Sequence, residues 1–136
     1  PNALEDLVRA RYERYKIVEE KEQRAEEYRT EDADVIVVAY GASSRVARSA
    51  VNKAREAGKK VGLIRPITLW PFPKDAIKRA ADHAKELLVG EMSMGRMVDD
   101  VRLAAECRVP VHFYGRTGGV IPTPKEILGE IDKLLK

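Results

Sequence analysis

Short apolar runs recur in this chain roughly every 25 residues from Val35 onward, and a segment with helical periodicity follows each of them. The runs are VIVVAY (Val35–Tyr40), KVGLI (Lys60–Ile64), ELLVGEM (Glu86–Met92) and VPVHFYG (Val109–Gly115). The first is continuous and β-branched, as expected for a strand covered on both faces. Four strand–helix alternations predict βαβ units and a mainly parallel sheet, because parallel neighbours need a crossover connection.

The helices between these runs have recognisable ends. The first is expected to start after Gly41, with Ser43 or Ser44 as its cap, and to end at Gly58. The later helices are expected at Lys74–Lys85, Gly95–Cys107 and Pro124–Leu135, the last of them capped by Thr123. The predicted fold class is α/β: a three-layer α/β/α sandwich around a mainly parallel, doubly wound sheet of about five strands.

The N-terminal segment differs from the repeating part. Residues 1–27 predict a linker helix whose apolar residues form one thin stripe, made of Leu4, Val8, Tyr12, Tyr15 and Val18. A short edge strand is expected around Glu26–Arg29, and the α/β domain is expected to occupy residues 28–136. Within that domain Pro66 is expected to stop the sheet ladder of the second strand, since proline has no backbone donor.

Composition excludes several classes of function. A net charge of +3 over 136 residues, with both signs interspersed, argues against a nucleic-acid partner. No apolar run approaches the ~18 residues of a membrane span, so no membrane partner is expected. The single cysteine, Cys107, suits a reducing cytoplasm. Abundant charge with one glutamine and two asparagines is typical of thermophilic proteins.

Four loops follow the predicted strands, at the sheet edge where ligands and partners of such folds gather: GASSR, RPITLWPFP, EMSMGRM and GRTGGVIPTP. Gly41, Ser43, Ser44 and Arg116 are weak candidates for an anion site, because a strand-to-helix turn and a guanidinium can both hold a phosphate or carboxylate. The alternative is a tight turn with a serine cap, and an Arg116 that makes a subunit contact.

No catalytic residue and no metal ligand is predicted. His83 and His112 fall on different elements, and neither has a partner at the spacing of a metal site. The serines and histidines form no convincing nucleophile–base set, and one cysteine cannot build an iron–sulfur cluster. Such a chain is typical of a domain that contributes shape and contacts to a larger enzyme.

Three blocks taken together resemble the alpha subunit of 2-oxoacid:ferredoxin oxidoreductases: RPITLWPFP, EMSMGRM and GRTGG. From about Tyr28 to the C-terminus the chain is similar to that subunit's C-terminal domain, which is like the third domain of transketolase. The resemblance implies a holoenzyme that decarboxylates a 2-oxoacid on thiamine diphosphate and Mg²⁺. It also implies an acyl-CoA product, with CoA as substrate, and electrons that pass through iron–sulfur clusters to ferredoxin.

The resemblance also implies where this chain stands in the enzyme. The thiamine motifs and cluster cysteines belong to other domains or polypeptides, so the chain is expected to hold no cofactor and to be inactive alone. Its expected partners are the other domains, the beta subunit and the ferredoxin-type subunits of a cytoplasmic oligomer, with ferredoxin an indirect partner. Trp70 and Phe72, helped by Met92, Met94 and Arg116, are expected to dock on them, since rigid aromatic side chains lose little entropy on binding.

Three alternatives stay open. Trp70 can instead cover the domain's own core beneath the following helix. The chain can be a free-standing α/β module that holds a small anion, such as a phosphate or a CoA fragment, between GASSR and GRTGG. It can also be the C-terminal domain of a thiamine-dependent 2-oxoacid dehydrogenase subunit, which has a similar fold.

Overall fold

A computed structural model describes residues 7–11, 13–14, 24–67, 72–91, 96–106, 108–115 and 122–135. Residues 7–11 and 13–14 are helical. The remaining elements, in chain order, are β1 (Ala25–Tyr28), β2 (Val35–Val38), α1 (Ala42–Glu56), β3 (Val61–Pro66), α2 (Lys74–His83), β4 (Glu86–Glu91), α3 (Arg96–Ala105), β5 (Val111–Gly115) and α4 (Pro124–Leu134). Among the described helices, none combines the length and hydrophobicity that crossing a bilayer requires.

The strands form one sheet in the order β1-β3-β2-β4-β5. Strands β2, β3, β4 and β5 all run parallel to one another, whereas β1 runs antiparallel to its neighbour β3. The mainly parallel sheet and its antiparallel edge strand are therefore confirmed. Because β1 begins at Ala25, the sheet crosses the expected boundary between residues 27 and 28, and the division into linker and domain stays a prediction.

The central strand β2 contributes side chains to both faces of the sheet, each of which is covered by a layer of helices. Its side chains alternate between two separate cores, as the two-residue period of a strand requires. Ile36 and Val38 pack in the core covered by α2 and α3. Val37 and Ala39 pack in the core covered by α1 and α4. Helices on both faces of one sheet confirm the three-layer sandwich.

The start of α1 differs from the expectation. The helix begins at Ala42, so Ser43 and Ser44 lie inside its first turn and Gly41 takes the cap position without a side-chain cap. The Ser44 hydroxyl donates to the Gly41 carbonyl oxygen at 2.6 Å. The predicted serine cap is thus wrong, because Gly41 adopts a φ of 60°, a conformation that glycine tolerates and that turns the chain directly into the helix. The Thr123 cap of α4 is confirmed.

Pro66 is the last residue of β3, as expected, although one more backbone hydrogen bond to the β1 side follows it. It pairs with Ala25 of β1, and the next N–H, that of Ile67, donates to the Arg24 carbonyl oxygen at 2.9 Å. Successive backbone donors of a strand point to opposite sides, so the donor that proline lacks would face the β2 side. There the parallel pairing already ends at Ile64. Proline is tolerated at this position because no ladder bond is lost.

The turn between β1 and β2 crosses directly over Gly62 of β3. A Cβ atom at Gly62 would lie 2.6 Å from the Arg29 carbonyl oxygen and 2.9 Å from the Cα of Thr30. Both contacts are with backbone, which cannot swing away as a side chain can. Gly62 is therefore required for β1 to reach its place beside β3.

Arg55, near the end of α1, fastens the same turn. Its guanidinium donates to the Val61 carbonyl oxygen (2.8 Å), to the Arg29 carbonyl oxygen (2.7 Å) and to both carboxylate oxygens of Asp32 (2.7 and 3.0 Å). The hydrogen bond from Arg55 lowers the pKa of the Asp32 carboxyl from 3.8 to about 2, and Asp32 in turn raises the pKa of Arg55. One side chain thus joins α1, β3 and the turn before β2.

Replacing Gly62 tests the close crossing. Gly62→Ala should lower the free energy of unfolding by about 1–3 kcal/mol, because the backbone of the turn must move away from the added methyl group. Gly129→Ala is the matched control: nothing lies within 4 Å of its would-be Cβ, and it sits within α4. The control should gain about 0.5–1 kcal/mol from its higher helix propensity. Urea unfolding measures the free energy of unfolding of both variants. Equal changes in the two would contradict the close crossing of the turn over Gly62.

The Arg55–Asp32 pair predicts a pH dependence. A carboxyl whose pKa is lower in the folded state stabilises the protein above its unfolded-state pKa, and this stabilisation is lost as the pH falls through about 2. Wild type should therefore be more stable than Asp32→Asn at about pH 6, and the difference should shrink between about pH 4 and pH 2. Urea unfolding across this range measures it; a difference independent of pH would disprove the pairing.

Candidate functional site

The carboxyl ends of the parallel strands β2 to β5 meet at one edge of the sheet, which we call the strand-end edge. The described residues there include Gly41, Ile67, Phe72 and Thr123. Four residues that the sequence places at this edge lie outside the described residues: Trp70, Met92, Met94 and Arg116. Their predicted contacts therefore stay predictions.

The turn after β2 directs its serines inward. Ser43 and Ser44 are only 2% and 3% exposed, and the Ser44 hydroxyl is bonded to the Gly41 carbonyl oxygen. An anion at this turn would meet backbone N–H groups of α1 and not these two hydroxyls. The anion site at Gly41, Ser43, Ser44 and Arg116 remains a prediction.

Phe72 lies immediately before α2, where Pro73 occupies the cap position. Its side chain is half-buried and packs against the core on the α2 and α3 face of the sheet. The N–H of Lys74 donates to its carbonyl oxygen at 2.8 Å, which fixes the entry of the connector into the helix. Part of the Phe72 side chain thus serves the domain's own core, and part of it stays exposed.

A groove of about 450 Å³ lies next to Pro73, the residue after Phe72, between β1, the end of β3 and the start of α2. Its lining includes Arg24, Ile67, Pro73, Asp75 and Arg79. Ile67 is 55% exposed although its backbone is tied to β1 through Arg24. An exposed, well-anchored apolar side chain surrounded by charged groups is the arrangement that protein interfaces use.

Sequence reasoning missed Ile67 and this groove. The block RPITLWPFP drew attention to its aromatic residues, and Ile67 was not singled out. The groove depends on the antiparallel placement of β1, which brings Arg24 and Ala25 beside Ile67. Periodicity along the sequence carries no signal for such a placement.

A side-chain contact joins the two ends of the segment that contains GRTGG. Tyr114, in β5, donates from its hydroxyl to the Glu126 carboxylate in the first turn of α4. The Glu126 N–H in turn donates to the Thr123 hydroxyl at 3.2 Å. A carboxylate in the first turn also interacts favourably with the helix dipole. These contacts join β5 to the start of α4.

The two histidines are used in contacts elsewhere. The Nε2 atom of His83 lies 2.6 Å from the Thr30 carbonyl oxygen, and that of His112 lies 3.3 Å from the Glu86 carboxylate. In the part of the chain that the structure describes, no group of three histidine, cysteine, aspartate or glutamate residues is placed to hold a metal ion. The single cysteine of the chain cannot supply the four thiolates that an iron–sulfur cluster needs.

Solved structures share this architecture and define the class of the domain. A 2-oxoglutarate:ferredoxin oxidoreductase from Magnetococcus marinus matches the whole chain with a TM-score of 0.87 at 24% identity, over 24% of its own length. A split-gene transketolase matches 82% of the chain with a TM-score of 0.66 at 20% identity, over 41% of its own length. The fold is that of the C-terminal domains of oxidoreductases and transketolases.

Sequence comparisons then show the family. Residues 33–127 match the pyruvate:ferredoxin oxidoreductase core domain II. The ketoisovalerate oxidoreductase subunit VorB of Methanothermobacter thermautotrophicus is 49% identical over 88% of this chain. The 2-oxoglutarate synthase subunit KorA of Methanothermobacter marburgensis is 42% identical over 75% of it. The aligned parts make up 34% and 27% of those two proteins, so the chain spans about a third of their length.

The chain belongs to the pyruvate:ferredoxin oxidoreductase core domain II family. The resemblance to the alpha-type subunits of 2-oxoacid:ferredoxin oxidoreductases is confirmed by this match together with the similarity to VorB and KorA.

Proposed function

We propose that this chain is the C-terminal assembly domain of the alpha-type subunit of a 2-oxoacid:ferredoxin oxidoreductase. The observation that carries the proposal is the family match over residues 33–127, in a chain that spans only about a third of its relatives. The domain supplies contacts to the enzyme and none of the reacting groups. The 2-oxoacid is bound elsewhere in the assembly.

The holoenzyme chemistry follows from the same proposal. Thiamine diphosphate with Mg²⁺ supports decarboxylation of the 2-oxoacid, CoA accepts the acyl group, and iron–sulfur clusters carry electrons to ferredoxin. We assign these groups to other domains and subunits, because the described residues hold no set of metal ligands and the chain has one cysteine. The beta subunit and the ferredoxin-type subunits are the proposed partners.

The strand-end edge is the proposed contact surface. The exposed Ile67, the open part of Phe72 and the adjacent groove support this placement. Trp70 follows Ile67 by three residues and is expected to extend the same surface, with Met92, Met94 and Arg116. Aromatic and aliphatic anchors on a proline-stiffened segment favour docking, because little conformational entropy is lost.

Ile67→Lys and Trp70→Ala test the docking role in the assembled enzyme. Each should weaken binding to the other subunits at least about tenfold, because hot-spot residues typically contribute more than 1.4 kcal/mol. The melting temperature of the chain alone should change by less than about 3 °C. Ser49→Lys is the control, since Ser49 is exposed in the middle of α1, away from this edge. Subunit pull-down and calorimetry give the two readouts.

Two outcomes would contradict this placement. Normal assembly of both variants would remove the strand-end edge from the interface. A melting temperature lowered by Trp70→Ala, with assembly otherwise normal, would show instead that Trp70 covers the domain's own core.

We also propose that the protein works in the cytoplasm of a thermophilic cell. Its charge-rich composition, with three amide side chains in 136 residues, supports this. The described residues include several ion pairs that link different elements, such as Arg55–Asp32 and Arg79–Glu27. Differential scanning calorimetry should give a melting temperature above the ~45–65 °C range of mesophile domains. A value within that range would refute the thermophilic assignment.

A further inference from the structure

The two edges of the sheet are built differently. Strand β1 is short and charged: Glu26 pairs with Arg48 and Arg65, and Glu27 pairs with Arg79. Charges of this kind prevent an edge strand from pairing with another chain. Strand β5, with the sequence VHFYG, has no lysine, arginine, aspartate, glutamate or proline. Its Phe113 is 37% exposed. Edge β5 therefore lacks the features that block pairing at β1.

An apolar strip accompanies the free edge of β5. Val109 and Val111 pack against the core on the α3 face of the sheet, and strand alternation places Phe113 on that same face. A groove of about 440 Å³ continues the strip and is lined by Arg102, Arg108 and residues 109–111. A partner at this edge would thus find both backbone hydrogen-bonding groups and apolar surface.

Two charges on α3 stand beside this strip. Asp99 and Arg102 are both exposed, and their spacing of three residues puts them on one side of the helix. Arg102 lines the β5 groove, so this side faces the free edge. Neither residue forms an ion pair with another residue of the described ranges. By contrast, the neighbouring Arg108 pairs with Asp82 and Glu106.

We propose that β5 and α3 form a two-fold interface with a second copy of this chain. In it, β5 pairs antiparallel with the β5 strand of the other copy, centred on Phe113, at the usual spacing of about 4.8 Å. Helix α3 packs over both β4 and β5. The two α3 helices then lie about two strand spacings apart, close to the ~8–10 Å at which helices pack against each other.

Charge complementarity identifies a second copy as the partner. In the proposed dimer the two-fold axis passes through the middle of β5 and near the middle of α3, since a crossover helix runs antiparallel to the strands it connects. Asp99 and Arg102 stand on either side of that midpoint. Each Arg102 therefore faces Asp99 of the other copy, and the two pairs are equivalent, as a two-fold interface requires. This proposal does not rest on the proposed function.

Sedimentation equilibrium of the 136-residue chain tests the interface. Wild type should be dimeric, and Phe113→Lys should be monomeric with an unchanged far-UV circular dichroism spectrum, which shows that the fold is retained. Arg102→Asp and Asp99→Arg should each raise the dimer dissociation constant at least about tenfold, since like charges then meet twice. The double variant Arg102→Asp/Asp99→Arg should restore the wild-type constant, because it swaps the two signs. Ile67→Lys, at the other edge, should leave the dimer intact.

Either of two results would overturn the proposal. If the wild-type chain stays monomeric up to about 100 µM, β5 pairs with another partner. Stable two-fold interfaces have dissociation constants well below this concentration. A dimer that persists in Phe113→Lys, or a double variant no better than the single ones, would place the interface elsewhere.

Discussion

Burial of β2 on both faces is the constraint on which the rest of the fold depends. The strand occupies the centre of the sheet, and its residues Val35 to Val38 are at most 1% exposed. A strand so apolar must be covered by two layers of helices, and parallel neighbours require crossovers that supply them. The same crossovers bring the carboxyl ends of four strands to one edge, where their loops can act together.

Stability and contact surfaces occupy opposite ends of the domain. At the amino-terminal ends of β2 and β3, Arg55 and Gly62 hold the turn that places β1 in the sheet. At the strand-end edge, Ile67 and the groove next to Pro73 are open to a partner. A change in one region should therefore leave the other largely intact, since effects of distant substitutions are usually additive.

The sequence predicted the layers well, because apolar runs and helical periodicity report burial directly. The antiparallel edge strand near Tyr28 was predicted and is confirmed. The start of α1 and the role of Pro66 were less accessible. The serine cap was wrong because the conformation of Gly41 decides where the helix begins. Strand β3 does end at Pro66, as predicted, but its pairing with β2 already ends at Ile64, which is a property of the sheet.

Candidate site residues were harder to predict than the core. The surface at Ile67 could be recognised only from the position of β1 beside β3. Part of the Phe72 side chain packs against the core. The contrast between the edges β1 and β5 also requires the strand order. Contacts between distant segments set these features, and a single sequence does not show them.

Purification of the native gene product that carries this sequence tests the central claim most directly. The account predicts a polypeptide about three times as long as this chain, as in the relatives of which it spans 34%. It should copurify with iron–sulfur subunits and reduce ferredoxin when given a 2-oxoacid and CoA. A native species of 15.3 kDa that purifies without such subunits would contradict the account.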